Sequence, residues 1–265
     1  MMRPGNDHLA GRPKSGGRTG RRRDPGGRRD PTLMLRVTML SDTVAARLHR
    51  VTAAVAEAAE HAGRAPAAVR LVGISKGSSA GAVAEAIAAG LRDIGENRVQ
   101  EAADKIARLS GLTPGLEHWH LVGHLQSNKA RVATQLFDTI QSVDSVRIAE
   151  TLDRLTARPL RVLLEVQYAP TPGRIGFDPE YLEDVAMAVS RLTHLEVVGL
   201  MTVAPLGLDE TAVRAVFRDL RERREQLRTK LPGLVELSMG MSDDFRIAIA
   251  EGATMVRIGR AIFGS

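Results

Sequence analysis

From residue 41 onward the hydrophobic positions follow two alternating patterns. Short and nearly unbroken apolar runs cover Val69–Ser75, Arg92–Gly95, His118–Gly123, Thr139–Val143, Arg161–Val166, Glu196–Val203, Val235–Ser238 and Met255–Gly259. Runs of that length and character predict strands buried on both faces. Between them lie alanine-rich or periodic stretches, such as 80–89, 99–109, 209–227 and 243–250, that predict helices. A leading helix is predicted over 41–63. Val44, Leu48, Val51 and Val55 fall on one face, Ser41 is placed to cap its start, and Gly63 ends the run. Pro-Gly pairs at Pro114, Pro172 and Pro232 fall in the connections, where turn residues belong.

Strands alternating with helices imply parallel pairing through crossovers. Eight such units predict a single (β/α)8 barrel of the TIM type, with an open doubly wound sheet as the alternative. The sequence stops six residues after the eighth strand run, too soon for a full eighth helix. The leading helix is expected to cover that gap.

Composition changes the picture at one end only. Residues 1–33 hold nine Arg/Lys and three Asp, which accounts for the whole formal net charge of +6. The remaining residues hold 28 basic and 28 acidic side chains. Segment 3–31 is rich in Gly, Pro and Arg and nearly devoid of apolar residues, so it is expected to be disordered. The boundary is set at residues 1–35 for this tail and 36–265 for the barrel. The folded domain has no net charge, so nucleic-acid binding is not expected of it. The tail could be a weak polyanion-binding arm, but it carries no aromatic residue to stack on bases and is read as an unselected extension. It also lacks the apolar core of a secretory signal, and no run reaches the roughly 18–20 apolar residues of a membrane helix. The expected location is the cytoplasm. The absence of cysteine excludes disulfides, thiolate metal sites and cysteine nucleophiles.

In a parallel barrel the chemistry sits where the strands end. The first strand run leads directly into Lys76, whose stem must lie on or inside the barrel mouth. An amine in a partly dry site has a lowered pKa, and a neutral amine condenses with aldehydes. A snorkelling lysine with its head in water is the plain alternative. At the other end of the chain, Ser242 or Asp243 could cap a short helix, and Gly259 and Arg260 follow a buried strand with backbone N–H groups free to point outward. Such turns cradle anions, and barrels commonly hold phosphate beside their last two strands. Closure would set that cradle next to the first strand. An amine beside a phosphate cradle fits an aldehyde that bears a phosphate, pyridoxal 5′-phosphate (PLP). Arg257 lies two residues before Gly259 on the same strand face, so it could face a pyridine nitrogen. Being always protonated, it would keep that nitrogen unprotonated and the ring a poor electron sink.

The motifs GISK at 73–76, IGENRVQEAADKI at 94–106, WHLVGHLQSNKAR at 119–131, IQSVDS at 140–145, GLMTVAP at 199–205 and LSMGMSDDFRIAIAEGATMVRIGRAIFG at 237–264 occur in this order. On them the chain resembles the pyridoxal phosphate homeostasis protein family over nearly all of residues 41–265. The resemblance implies fold-type III PLP binding on a barrel like the N-terminal domain of alanine racemase. It implies a Schiff base, the internal aldimine, on Lys76. It places Ser242 and the backbone of Gly259 and Arg260 at the phosphate, Arg257 near the pyridine nitrogen, and Asn97 and Ser238 along the pocket wall. Such proteins are regarded as handlers of the cofactor, with PLP-dependent apo-enzymes as recipients and no established turnover.

Three departures qualify the resemblance. Gly77-Ser78-Ser79-Ala80-Gly81 stands where the family has a Pro-containing segment and is expected to be more flexible. Arg260 replaces the family's threonine, which removes a hydroxyl contact to the phosphate. The loop YAPTPGRIGFDP at 168–179 keeps only a loose likeness. A racemase would need a second acid/base opposite the lysine. Tyr168, His120 and His124 are the candidates, each with a structural alternative, and the second domain that supplies this group in alanine racemase is not expected. The function expected is therefore storage or delivery of PLP. A fold-type III racemase or lyase is the alternative, and a cofactor-free Schiff-base aldolase is a third reading.

Overall fold

Eight strands close into one parallel barrel in the sequential order of the chain. The structure, a computed structural model, describes residues 43–113, 117–169 and 175–264. The basic tail, the expected Ser41 cap and the turns at Pro114 and Pro172 lie outside these residues. The elements are α1 (Val44–His61), β1 (Arg70–Ile74), α2 (Ala80–Ala88), β2 (Asp93–Glu96), α3 (Val99–Leu109), β3 (His118–Leu121), α4 (Ala130–Leu136), β4 (Thr139–Val143), α5 (Val146–Leu155), β5 (Leu160–Glu165), α6 (Leu182–Val189), β6 (Leu195–Met201), α7 (Glu210–Arg228), β7 (Glu236–Ser238), α8 (Phe245–Ala250), β8 (Met255–Ile258) and α9 (Arg260–Phe263). Closure is made by β1 against β8, with Arg70 opposite Met255 and Val72 opposite Arg257.

The cap of α1 is Thr43, whose hydroxyl accepts the Ala46 N–H at 3.1 Å. A threonine oxygen meets an orphan donor of the first turn there, which Ser41 was expected to do. The expected gap after β8 is filled by α1, which packs beside α2, α8 and α9. Arg47 Nε donates to the carbonyl of Ile262 at 2.8 Å, and Arg64 Nη1 to that of Ile249 at 2.9 Å. These bonds meet carbonyls that the ends of α8 and α9 leave without intrahelical partners.

Alternation along each strand sorts the side chains into two layers. Leu121, Val162, Leu164, Val256 and Ile258 face outward and pack with Leu48, Ile87 and Phe217 of the helices. Val72, Leu163, Met201 and Met255 are buried but stand outside that cluster, filling the interior. The interior also holds a polar chain. Arg257 Nη1 donates to Ser238 Oγ at 2.6 Å, and Ser238 Oγ to Gln141 Oε1 at 2.6 Å. Gln141 Nε2 lies 3.1 Å from His120 Nδ1, and His120 Nε2 lies 2.9 Å from Asp93 Oδ1. Gln141 donates through its amide, so His120 accepts at Nδ1 and donates from Nε2 to Asp93. At the N-terminal end of the strands, Arg70 and Arg161 both reach Glu236, at 3.4 and 3.3 Å. Every member of this buried series has a partner, which is the condition for burying polar groups without a large penalty.

Candidate functional site

At the C-terminal ends of the strands a cavity of about 280 Å³ opens, close to the lower end of the roughly 300–1,000 Å³ typical of small-molecule sites. Its wall includes Lys76 after β1, Asn97 after β2, His124 after β3, Glu165 at the end of β5, Met241 after β7 and Arg257 of β8. Three of the residues singled out on the sequence, Lys76, Asn97 and Arg257, are thus gathered from distant parts of the chain.

Arg257 is only 4% exposed. It is held upright by its bond to Ser238 and by a second from Nη2 to the carbonyl of Thr202 at 2.7 Å. Ser238 is fully buried and bonds to Arg257, which lines the cavity. It does not line this cavity itself but supports the arginine that does. Ser238 ends β7 beside Met255, which shares the face of Arg257 but lies two residues deeper in β8.

Lys76 lines the cavity but is exposed to water. The partly dry surroundings expected for it are not provided by the described residues. The backbone around it is fixed instead. Gly77, at φ +71°, adopts a left-handed conformation that favours glycine, and its N–H donates to Glu101 Oε1 at 2.6 Å. Ser78 N–H bonds back to the Ser75 carbonyl at 3.0 Å, and Ser79 caps α2 by accepting from Ala82. The glycine-serine segment expected to be loose is therefore pinned at three points.

Beneath it lies a charge cluster that the sequence reading did not single out. Lys105 Nζ donates to the Ser75 carbonyl, to Glu96 Oε1 at 2.6 Å and to Glu101 Oε1 at 2.8 Å, while Ser75 Oγ donates to Glu96. Burial raises the pKa of Glu96 despite the Lys105 and Ser75 bonds. Burial also pushes Glu101 upward, but its bonds from Lys105 and the Gly77 N–H hold it below the usual range. The Glu101–Lys105 spacing of four residues was a visible signal for part of this cluster.

The remaining expected residues lie at the neighbouring strand ends. Gly259 opens α9 against the end of β1; a Cβ there would stand 3.0 Å from the Ile74 carbonyl oxygen, two residues before Lys76. The N–H groups that open such a turn have no partner within it. Ser242 does not line the Lys76 cavity; it lines a separate cleft of about 290 Å³ against α1, with Arg50, Val51, Arg246 and Ala261. The cap of α8 is Asp244 rather than Ser242 or Asp243, and its carboxylate accepts the Met241 N–H at 2.5 Å. Arg260 is exposed and lies 3.6 Å from Asp243, so its guanidinium is directed to the surface.

Among the acid/base candidates, Tyr168 donates to Asp219 Oδ2 at 2.7 Å, and burial with that bond raises its pKa. It is tied to α7. His120 belongs to the buried polar chain. His124 alone of the three lines the cavity.

An amine, a fixed arginine and a glycine turn at the mouth of a parallel barrel define a protein of the alanine racemase N-terminal domain class, and the profile of that family matches residues 46–265. A pyridoxal phosphate homeostasis protein of Pseudomonas aeruginosa is 44% identical over 226 residues, covering 84% of this chain and 96% of that protein. One of Escherichia coli is 40% identical over 226 residues with the same coverage. The structure of PipY of Synechococcus elongatus with PLP bound superposes with a TM-score of 0.71 at 43% identity, covering 79% of this chain and all of that one. An alanine racemase of Clostridium difficile shares the fold at 16% identity, with a TM-score of 0.60 over 73% of this chain and 52% of its own. The chain belongs to the pyridoxal phosphate homeostasis protein family.

Proposed function

We propose that this protein binds PLP at the barrel mouth, holds it on Lys76, and stores it or passes it to PLP-dependent apo-enzymes. The observation that carries the reading is the convergence of Lys76, Asn97 and Arg257 on one cavity, with the Gly259 turn packed against the strand that leads to Lys76. The donor set fits the group. A primary amine suits an aldehyde, an arginine suits an unprotonated pyridine nitrogen, and backbone N–H groups suit a phosphate. The space at Gly259 fits as well, since a Cβ there would press on β1. When bound, the cofactor supplies an aldehyde that condenses reversibly with a neutral amine.

In this reading Lys76 Nζ forms the covalent bond. Arg257, locked by Ser238 and Thr202, presents a permanent positive charge to the ring nitrogen and keeps a proton off it. Ser242 and the N–H groups of Gly259 and Arg260 hold the phosphate, and Asn97 forms a side wall. A ring left unprotonated withdraws electrons poorly, which argues against transaminase chemistry. The PLP-bound relative PipY and the names of the curated relatives support the same choice. Residues 36–265 form the cofactor-binding unit, residues 1–35 are dispensable for it, and a cytoplasmic location goes with the role.

The test is titration of the full-length protein with PLP while visible absorbance is followed. The wild type turns yellow with saturation, Lys76→Ala does not, and a chain lacking residues 1–33 behaves as wild type. A colourless wild type, or a Lys76→Ala variant with undiminished absorbance, would overturn the reading.

A further inference from the structure

His124 lines the same cavity as Lys76. It follows β3 in a loop pressed onto the end of β2; a Cβ at Gly123 would fall 2.4 Å from the Asn97 carbonyl oxygen, so only glycine permits this approach. Ser142 Oγ donates to the Gly123 carbonyl at 2.7 Å and fastens the same loop to β4. The imidazole is thereby seated in the wall of the cavity that contains Lys76.

Its Nδ1 lies 2.6 Å from Asp144 Oδ2. The Asp144 side chain is 3% exposed and the His124 side chain 46%. A carboxylate only accepts, so Nδ1 carries the hydrogen and Nε2 is left to exchange protons. A histidine oriented by a buried carboxylate, with its other nitrogen open to water and ligand, is the arrangement of a general acid–base. The other charged groups on the cavity wall are Lys76, Glu165 and Arg257.

We propose that His124, oriented by Asp144, carries protons between Lys76 Nζ and the aldehyde oxygen as the C=N bond is made and broken. The inference rests on the cofactor reading above and adds a kinetic role to it. The balance is closed. Lys76 begins as an ammonium with three protons and ends with one on a doubly bonded nitrogen. The C–N bond forms, the C–O bond breaks, and the two protons that leave Nζ depart on the oxygen as water. His124 accepts a proton from Nζ and returns it to the departing oxygen, so it finishes as it began. Hydrolysis runs the same steps backward, so one group accelerates both capture and release and leaves the equilibrium unchanged.

That symmetry makes the test specific. Apo full-length protein is mixed rapidly with PLP, and the rise of visible absorbance gives the rate of capture. Release is followed by mixing loaded protein with an excess of an aldehyde scavenger. In His124→Ala both rates fall about 100-fold, the lower end of general acid–base effects, while Kd stays within about twofold. Added imidazole restores speed to His124→Ala, and Asp144→Asn slows both directions by a smaller factor. His124→Asn, closer in polarity, behaves as His124→Ala and controls for loss of packing. Colour that forms and clears equally fast in wild type and His124→Ala overturns the proposal alone. A large rise in Kd at unchanged capture rate makes His124 a binding contact and overturns it too. A wild-type chain that never colours overturns the cofactor reading and this proposal together.

Discussion

Replacing Lys105 by methionine removes the ammonium that ties three pieces of chain together directly below Lys76. The side chain is 7% exposed and its partner Glu96 is fully buried. The substitution leaves the Glu96 carboxyl, whose Oε2 already lacks a hydrogen-bond partner, with only the Ser75 hydroxyl. Removing one member of a buried ion pair costs about 3–5 kcal/mol. Glu96 can escape part of that cost by taking up a proton, because burial already raises its pKa. The lower end of the range therefore applies, and about 3 kcal/mol corresponds to a fall in Tm of about 6–12 °C for a domain of this size. The Ser75 carbonyl also loses its Lys105 donor, and Glu101 loses the cation that holds it against the Gly77 N–H. Thermal unfolding gives the first quantity, and hydrogen exchange at the Gly77 amide gives the second as faster exchange. The double substitution Lys105→Met with Glu96→Gln recovers most of the lost stability, since both charges are then gone. A Tm within about 2 °C of wild type for Lys105→Met alone, with unchanged exchange at Gly77, would refute the reasoning.

Other outcomes follow from the same geometry. Arg260→Thr breaks only an exposed pair with Asp243, worth under about 1 kcal/mol, and adds a hydroxyl beside the phosphate turn. One added hydrogen bond of about 0.5–1.5 kcal/mol lowers the PLP Kd roughly two- to tenfold in a spectroscopic titration; weaker binding would show that the guanidinium itself holds the anion. Gly259→Ala presses a methyl group on the Ile74 carbonyl and displaces the turn from β1, so PLP affinity falls at least tenfold with little change in Tm, and unchanged affinity would remove the turn from the site. Glu251 is buried, which alone would raise its pKa, yet bonds from Arg218 and Arg214 hold it below 4.5. A depressed carboxylate adds stability above its unfolded value that is lost as pH falls through the folded one, so Glu251→Gln flattens the decline of Tm below about pH 4.5. An identical decline in the variant would show that the arginine cluster has no such role.

The barrel was legible because its strands are apolar runs interrupted by helical periodicity, and both signals are local. β4 matches its predicted run residue for residue, and the other strands shift by a residue or two at their ends. Lys76, Asn97 and Arg257 were legible because each sits at the end of such a run, on the face where parallel strands finish. What escaped depends on which strands are neighbours. Lys105 reaches the Ser75 carbonyl 30 residues away only because β2 pairs with β1. Asp144 meets His124 across the β3–β4 seam, 20 residues apart. The depth of Ser238 was not legible for a related reason: periodicity gives the face of a strand but not the depth of a residue within the barrel. Tyr168 was open to either of two roles, and only the position of Asp219 on α7 decides between them.

The central claim is that one amine at the barrel mouth captures the cofactor aldehyde. It is tested most directly by reducing the PLP-loaded full-length protein with borohydride, digesting it, and mapping the modified residue by mass spectrometry. The account predicts a single phosphopyridoxyl group on Lys76 in near-stoichiometric yield. Modification spread over several lysines, or concentrated on any residue other than Lys76, would contradict it.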